Sequence, residues 1–419
     1  MSAQAALKLA PAGSCRFCGA ALSESVIDLG RSPPANAYLT VEELEHAEPT
    51  YPLHAYVCGS CFLMQLQDFQ SPDELFGDYA YFSSYSDTWM KHVERYCDDM
   101  IRRFDLRPEH RVVEVASNDG YLLQFFSERG IPVMGIEPAG NVAHEAMAKG
   151  VPTVVRFFGV DTARGLAAQG HQADLLIGNN VLAHVPNLND FVAGLKIALK
   201  PTGVLTMEFP HLLHLLAETQ FDTIYHEHFS YFSLLAVQRI LDHHGLAVFD
   251  VEELPTHGGS LRVFACHAEQ KRPAASSVEA VLAAERAAGL DRLETYRSFG
   301  AAVRTTRRML RDFLTGAKLA GRTVVGYGAP AKGNTLLNYC GVGTDLIAYT
   351  VDRSPHKQGK FLPGTHIPIY HPDRIRATKP DFVLILPWNL RREIMEQMAF
   401  IRDWGGRFVV PIPQVRVYD

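Results

Sequence analysis

The chain has no apolar run approaching the roughly 20 residues of a membrane-spanning helix. Residues 1–12 carry one lysine and a mild apolar bias but no signal-peptide core, so a cytoplasmic protein without membrane association is expected. Excess charge is small: 40 Lys and Arg against 46 Asp and Glu give −6. No basic stripe offsets it, which argues against a nucleic-acid partner. Repeats at solenoid periods and low-complexity tracts are absent. So are a Gly-x-Gly-x-x-Gly turn after the first buried strand, a Walker spacing and His-Glu-x-x-His. These absences exclude a dinucleotide turn at that strand, a P-loop and a zincin helix.

Cysteine is scarce and clustered. Four of the seven form Cys15-Arg16-Phe17-Cys18 and Cys58-Gly59-Ser60-Cys61. Two such knuckles, 39 residues apart, fit a tetrathiolate zinc site. Sulfur fills all four tetrahedral positions and leaves none for water, so the metal is structural. A redox pair is the alternative, without a thioredoxin-like context. Cys97, Cys266 and Cys340 read as core thiols.

The pattern divides the chain into residues 1–75, 76–270 and 271–419. The first holds the cysteines, with excursions over 26–30 and 39–57. The second opens with Tyr79, Tyr81 and Ser84 in an aromatic and hydroxyl-rich stretch, followed by a helix through Trp89, Val93, Cys97 and Ile101. Strands are expected at 112–116, 133–137, 173–178, 203–209, 246–251 and 261–265, alternating with helical segments. That is the signature of a mainly parallel sheet. After a linker at 271–277 the third part has a helical region over 278–315. Its buried strands are expected near 321–328, 346–351, 382–386 and 407–411.

Three segments carry chemistry. At the first strand, Glu114 and the turn Ser117-Asn118-Asp119-Gly120 are rich in acid and poor in glycine. The second strand ends in Glu137-Pro138, an acid that can accept from both hydroxyls of a ribose. A pyrophosphate disfavours such a turn, whereas the sulfonium and ammonium of S-adenosylmethionine (SAM) suit it. Capping roles for Glu114 and Glu137 are the alternative. Behind the strand ending in Glu208-Phe209-Pro210 comes Tyr225-His226-Glu227-His228-Phe229-Ser230-Tyr231-Phe232. Two imidazoles, a carboxylate and two phenols at the carboxyl end of a strand point to acid–base chemistry. A polar loop capping its own backbone is the alternative. His226 and His228 are two apart, so a helix would turn them to different sides. Last, Gly326-Tyr327-Gly328-Ala329-Pro330-Ala331-Lys332-Gly333-Asn334 is a glycine-rich turn with a lysine at a helix start. It reads as an anion cradle for a diphosphate, or as a structural tight turn.

In order and spacing these motifs resemble the SAM-dependent C-methyltransferases of deoxysugar biosynthesis, nearest to the 3-C-methyltransferases of nucleotide-linked 4-keto sugars. The motifs are the cysteine quartet, Val113 to Gly120, Gly178-Asn179-Asn180-Val181-Leu182-Ala183-His184-Val185, Glu208 to Pro210, Tyr225 to Tyr231, His257-Gly258-Gly259-Ser260-Leu261-Arg262 and Gly326 to Gly333. The resemblance implies an α/β protein: a central Rossmann-like SAM domain between an N-terminal zinc-binding domain and a C-terminal Rossmann-like domain. It implies His228 as base, with Tyr225, Glu227 and His184 in the catalytic group. SAM is expected at Glu114, Ser117, Asn118, Gly120, Glu137, Pro138 and Asn179. A nucleotide sugar, expected to be dTDP-linked, falls to Tyr79, Tyr81, Ser84, Asn180, His257, Lys332 and Asn334. The three-part architecture permits a monomer. A carbon beside a ketone can become an enolate, so His228, expected near its ordinary pKa, would take the C3 proton while Tyr225 or His184 steadies the oxyanion at O4. C5 methylation and N- or O-methylation are the alternatives.

Overall fold

The structure, a computed structural model, describes residues 13–67, 84 and 87–419. The described strands form three sheets. The first runs β1 (Glu24–Ser32), β2 (Tyr51–Val57), β3 (Met64–Leu66) and then β9 (Ser230–Tyr231), all antiparallel. Its fourth strand comes from the histidine-rich segment some 160 residues further on, with Met64 opposite Tyr231 and Gln65 opposite Ser230. The cysteine-bearing unit is therefore not closed by its own residues.

The second sheet contains β4 (Val112–Val115), β5 (Val133–Ile136), β6 (Thr153–Val154), β7 (Ala173–Asn179), β8 (Leu199–Pro210), β10 (Leu246–Leu254) and β11 (Ser260–His267). Their order is β10-β11-β8-β7-β4-β5-β6, and β11 alone runs against its neighbours. All four residues of β4 are buried, as a parallel strand covered on both faces requires. The chain steps from β4 out to β6 and returns to β7 beside β4. Its direction reverses there, so a crevice opens at the carboxyl ends of β4 and β7.

The third sheet comprises β12 (Val324–Tyr327), β13 (Thr350–Val351), β14 (Ile369–Tyr370), β15 (Phe382–Ile385), β16 (Arg407–Val410) and β17 (Arg416–Tyr418). The order β14-β13-β12-β15-β16-β17 is the 3-2-1-4-5-6 arrangement of a nucleotide-binding sheet, with the last strand antiparallel. Among the described residues no helix is long and apolar enough to cross a membrane.

Helix α1 (Asp87–Phe104) buries Val93, Tyr96, Cys97 and Met100, one apolar stripe at helical spacing. The helical region expected over 278–315 is made of two helices. α3 (Ser276–Ala287) ends before Gly289, whose φ of +80° suits glycine, and α4 (Leu293–Leu319) follows. The strand expected at 346–351 is only Thr350–Val351. Cys97, Cys266 and Cys340 are buried free thiols.

A buried carboxylate ties α3 to the central sheet. Glu285 accepts from the backbone N–H groups of Leu234 and Leu235 at 2.6 and 2.9 Å, the first turn of α2 (Leu234–His243). Its Oε1 also lies 2.7 Å from His211 Nε2, just past β8. Removing it strands three buried donors at once. Glu285→Ala should therefore cost about 3 kcal/mol, read as a lowered midpoint of urea unfolding. An unchanged midpoint would show that the cap is dispensable.

Candidate active site

The segment Tyr225–Phe232 is anchored by its apolar members. Phe229 and Phe232 are fully buried, Phe232 edge-on to Phe209 of β8 at 5.6 Å. Burying each ring contributes about 2–3 kcal/mol. The Phe229 N–H donates to Ala183 O at 2.7 Å, and its carbonyl accepts from Leu66 N at 2.9 Å. His226 and His228 do part company. His226 packs edge-on against Tyr51 of β2 at 6.0 Å, away from His228 and its partners.

His228 is held at both ring nitrogens. Nδ1 is 2.9 Å from the Thr223 carbonyl, and Nε2 is 2.7 Å from the Tyr225 hydroxyl. A carbonyl only accepts, so Nδ1 carries the proton and Nε2 presents its lone pair. His184 stands edge-on to His228 at 4.7 Å. Burial, then the neighbouring His184, pushes the His228 imidazole well below its ordinary range. This differs from the near-ordinary value expected from sequence, because several rings share one desolvated space. Burial likewise pulls His184 and His257 down to about 4. All three imidazoles are neutral at pH 7. The Glu227 carboxyl is pushed up to about 7 by burial, opposed by the Asn36 amide, whose Nδ2 donates to Oε1 at 2.6 Å.

Lys332 lies in the first turn of α5 (Ala331–Cys340). Its Nζ donates to Asn389 Oδ1 at 2.7 Å and sits 4.8 Å from the Trp388 ring centre. Trp388 in turn donates its Nε1–H to Asp222 at 2.6 Å. Burial raises Asp222 to about 6, with Lys332 opposing. Further along α5, Thr335 donates to the Ile224 carbonyl at 3.2 Å, so this helix lies along the 222–228 loop. Two N–H groups of the expected anion cradle are already engaged: Gly328 by Val351 O and Ala329 by the Asp352 carboxylate at 2.7 Å. Asn334 is buried, its amide given to the Ala35 carbonyl.

At the floor, Glu208 of β8 faces Arg262 of β11 as a cross-strand pair at 3.0 Å. Burial alone would raise this carboxyl; His92 at 3.2 Å and Arg262 outweigh it and hold it at about 2. Thr256 donates to its other oxygen at 2.9 Å. His257, just beyond, touches Trp89 edge-on at 5.5 Å and has a φ of +57°. Asn180 is left-handed too, at +54°. Non-glycine residues held in this region cluster where function fixes the backbone.

The turn after β4 explains its missing glycines. Ala116, Asn118 and Gly120 have φ of +57°, +49° and +74°, three left-handed residues at alternate positions, only one of them glycine. At Gly120 a Cβ would press on Val151 at 3.1 Å, so a larger residue there is crowded as well as strained. Glu137 accepts from Asn118 N and Ala139 N, both at 2.9 Å, fastening the turn to the end of β5. Pro138 is half-buried beside it. Glu114 and Ser117 are wholly enclosed, and burial drives the Glu114 carboxyl well up. Ser84 donates to the Asp119 carboxylate, which Lys149 meets at 3.0 Å. Buried polar atoms at the ends of β4 and β7 lack protein partners: Ser117 Oγ, Asp119 Oδ1, Asn180 Oδ1 and both amide atoms of Asn179. Buried polar groups are rarely left so. Their position, with Glu137 alongside, fits a polar nucleoside cofactor such as SAM. Tyr79 and Tyr81 lie outside the described residues.

The four cysteine sulfurs lie within 4.8 Å of one another, Cys15 to Cys61 at 3.5 Å and Cys18 to Cys58 at 3.4 Å. Tetrahedral zinc with bonds of about 2.3 Å spaces its sulfurs about 3.8 Å apart, so the set fits the ion. Gln65 Nε2 and Ser60 N donate toward Cys15 and Cys58 at 3.2 and 3.4 Å.

Sequence reasoning missed Asn36, Tyr38, Asp222, Trp388 and the Thr223 carbonyl. Asn36 and Tyr38 come near the segment only through chain folding, Trp388 reaches Asp222 just before it, and the spacing of residues holds no sign of these contacts.

Elemental analysis should find one zinc per chain, and chelation should lower the melting temperature. A chelated protein that stays folded yet loses only its chemical step would overturn the structural role.

Family models match three stretches: a zinc binding domain over 15–76, a methyltransferase domain over 89–251 and a C-methyltransferase C-terminal domain over 255–413. Solved structures match weakly. Magnesium protoporphyrin IX methyltransferase from Synechocystis PCC 6803 is 16 % identical over 42 % of this chain and 83 % of its own, with a TM-score of 0.34. The PH0226 protein of Pyrococcus horikoshii OT3 is 17 % identical over 48 % and 99 %, with a TM-score of 0.37. Neither bears on substrate. The C-methyltransferase NovU of Streptomyces niveus is 38 % identical over 407 residues, 97 % of each chain. Likeness sustained across all three parts, including the C-methyltransferase C-terminal domain, makes this chain a member of the C-methyltransferase family, a SAM-dependent enzyme that methylates carbon.

Proposed function

We propose that the acceptor is C3 of a nucleotide-linked 4-keto-6-deoxysugar, dTDP-linked in the first instance, and that His228 makes it nucleophilic. The observation that carries this reading is the His228 tautomer. Its proton is fixed on Nδ1 by Thr223 O, and among the described residues its Nε2 lone pair is covered by the Tyr225 hydroxyl. Carbon is not acidic enough to react without a base, whereas an oxygen or nitrogen acceptor needs no such dyad. Bound SAM supplies the methyl group as an electrophile on a sulfonium; Glu137, Asn118, Pro138, Gly120, Asn179 and the enclosed Glu114 and Ser117 would form its seat.

One exchange of hydrogen bonds serves both ends of the enolisation. When the Tyr225 hydroxyl turns from His228 to the substrate ketone, Nε2 is bared to take the C3 proton. The phenol then donates to the oxyanion at O4, with neutral His184 beside it. The shift costs little, since one hydrogen bond replaces another. The imidazolium formed is relieved by the new negative charge nearby, which raises a depressed histidine pKa. The Lys332 ammonium in the same cleft also favours that charge. The 3-2-1-4-5-6 sheet, with Asp352 at the end of β13 and the glycine-rich turn after β12, supports the nucleotide end of the substrate. Asn180, His257 and Ser84 would contact the sugar, and Asn334 would act by holding α5 in place.

The test is incubation with SAM and a panel of dTDP-linked 4-keto-6-deoxysugars, with and without a 3-amino group. Mass spectrometry should show one added methyl, and product NMR its place on C3; a methyl on C5 would move the acceptor but keep the dyad. His228→Asn should lose about 10²–10⁴-fold in turnover while SAM affinity holds. Near-normal rates in that variant would assign the base elsewhere. Tyr225→Phe bares Nε2 but loses the oxyanion donor, so turnover should fall about 10²-fold. Deuterium exchange at C3 without SAM should slow in both variants.

A further inference from the structure

The link between β1 and β2 leaves the cysteine-bearing sheet and runs between the other two domains. Leu39 exchanges both backbone hydrogen bonds with Phe361 at 3.0 and 2.9 Å. The Ala35 carbonyl accepts from Asn334, and the Tyr38 hydroxyl donates to the Ala329 carbonyl, which Lys357 Nζ also reaches at 2.9 Å. Within this strap Asn36 turns its amide to Glu227, Nδ2 to Oε1 at 2.6 Å, across 191 residues of sequence. Glu227 precedes His228 directly. A side-chain amide from the zinc-binding unit thus meets the carboxyl of the residue before the proposed base.

We propose that Asn36 is a positioning residue for methyl transfer: carried by the zinc-binding unit, it holds the carboxyl of Glu227, the residue before His228, and favours its charged form. The inference rests on the reading that places Glu227 in the active site. The groups facing Glu227 are few. Asn36 and Tyr38 come from the strap, Lys357 from the loop after β13, and His184 reaches the Glu227 backbone. Burial favours the neutral acid; the Asn36 amide is the largest force against it, ahead of Lys357. Glu227 is thus poised to titrate near neutrality, and the Asn36 amide contributes most to holding its charged form.

The experiment is a pH series on wild type, Asn36→Ala, Glu227→Gln and the double variant, read two ways. Thermal stability needs no substrate. The amide stabilises the carboxylate and not the acid, so the gap between wild type and Asn36→Ala should widen as pH rises through 7. In the Glu227→Gln background the gap should be the same at every pH. In methyl transfer, the limb of kcat/KM near pH 7 should move up by about one pH unit in Asn36→Ala, the scale of a hydrogen bond to a charged group. That limb should be absent in Glu227→Gln. Asn36→Ser, which keeps a short donor, should fall between. A gap that does not vary with pH, or an unmoved limb, would falsify the proposal and leave Asn36 a plain strut. A wild type that methylates no sugar of the panel, yet shows the widening gap, would sink the substrate reading and keep the Asn36–Glu227 coupling.

Discussion

The segment Asp222 to Phe232 is gripped by all three parts of the chain, and the proposed active site depends on that grip. β9 closes the cysteine-bearing sheet. Arg16, inside the first zinc knuckle, lies over the Phe229 ring at 5.4 Å and donates to Pro186 O at 3.0 Å. The central sheet takes the Phe229 N–H through Ala183, and the third part reaches the loop through Thr335 and Trp388. A loop so held loses little further freedom when substrate binds, so binding free energy can go to the chemical step. The metal acts on chemistry only at a distance, by keeping the knuckle that holds the loop.

The second constraint is charge. A cleft of three neutral histidines, a Glu227 carboxyl raised to about 7 and the ammoniums of Lys332 and Lys357 suits a ligand that brings negative charge. Glu208 is the exception, kept ionised by Arg262 and His92. It stabilises the floor on which His257 and Trp89 rest. The contrast between Glu208 and Glu227 is instructive: both are deeply buried, one is lowered to about 2 and the other raised to about 7. Desolvation pushes both the same way. A guanidinium and an imidazole in contact reverse it, whereas a neutral amide only moderates it.

Much of this was legible in the chain. Buried strands showed as apolar runs because parallel strands are covered on both faces. The cysteine quartet showed because tetrahedral thiolate binding demands its spacing. Other features were illegible for definite reasons. The left-handed turn after β4 carries Ala116 and Asn118 where glycine would be the usual sign. The break between α3 and α4 hangs on Gly289 alone within a long amphipathic stretch. The glycine-rich turn looked like an anion cradle, but Val351 and Asp352 had already claimed two of its N–H groups.

The sequence by itself determined the three-part α/β plan, the cysteine quartet and the residue types of the histidine-rich segment, because each rests on local spacing or on a periodicity of burial. Tertiary structure alone decided which nitrogen of His228 holds the proton, how far Glu227 is from its ordinary ionisation, and that β9 belongs to the zinc-bearing sheet. Those outcomes depend on partners 5 to 191 residues away, Thr223 at one extreme and Asn36 at the other. Desolvation and hydrogen bonding act through space, and only the fold says which groups share it.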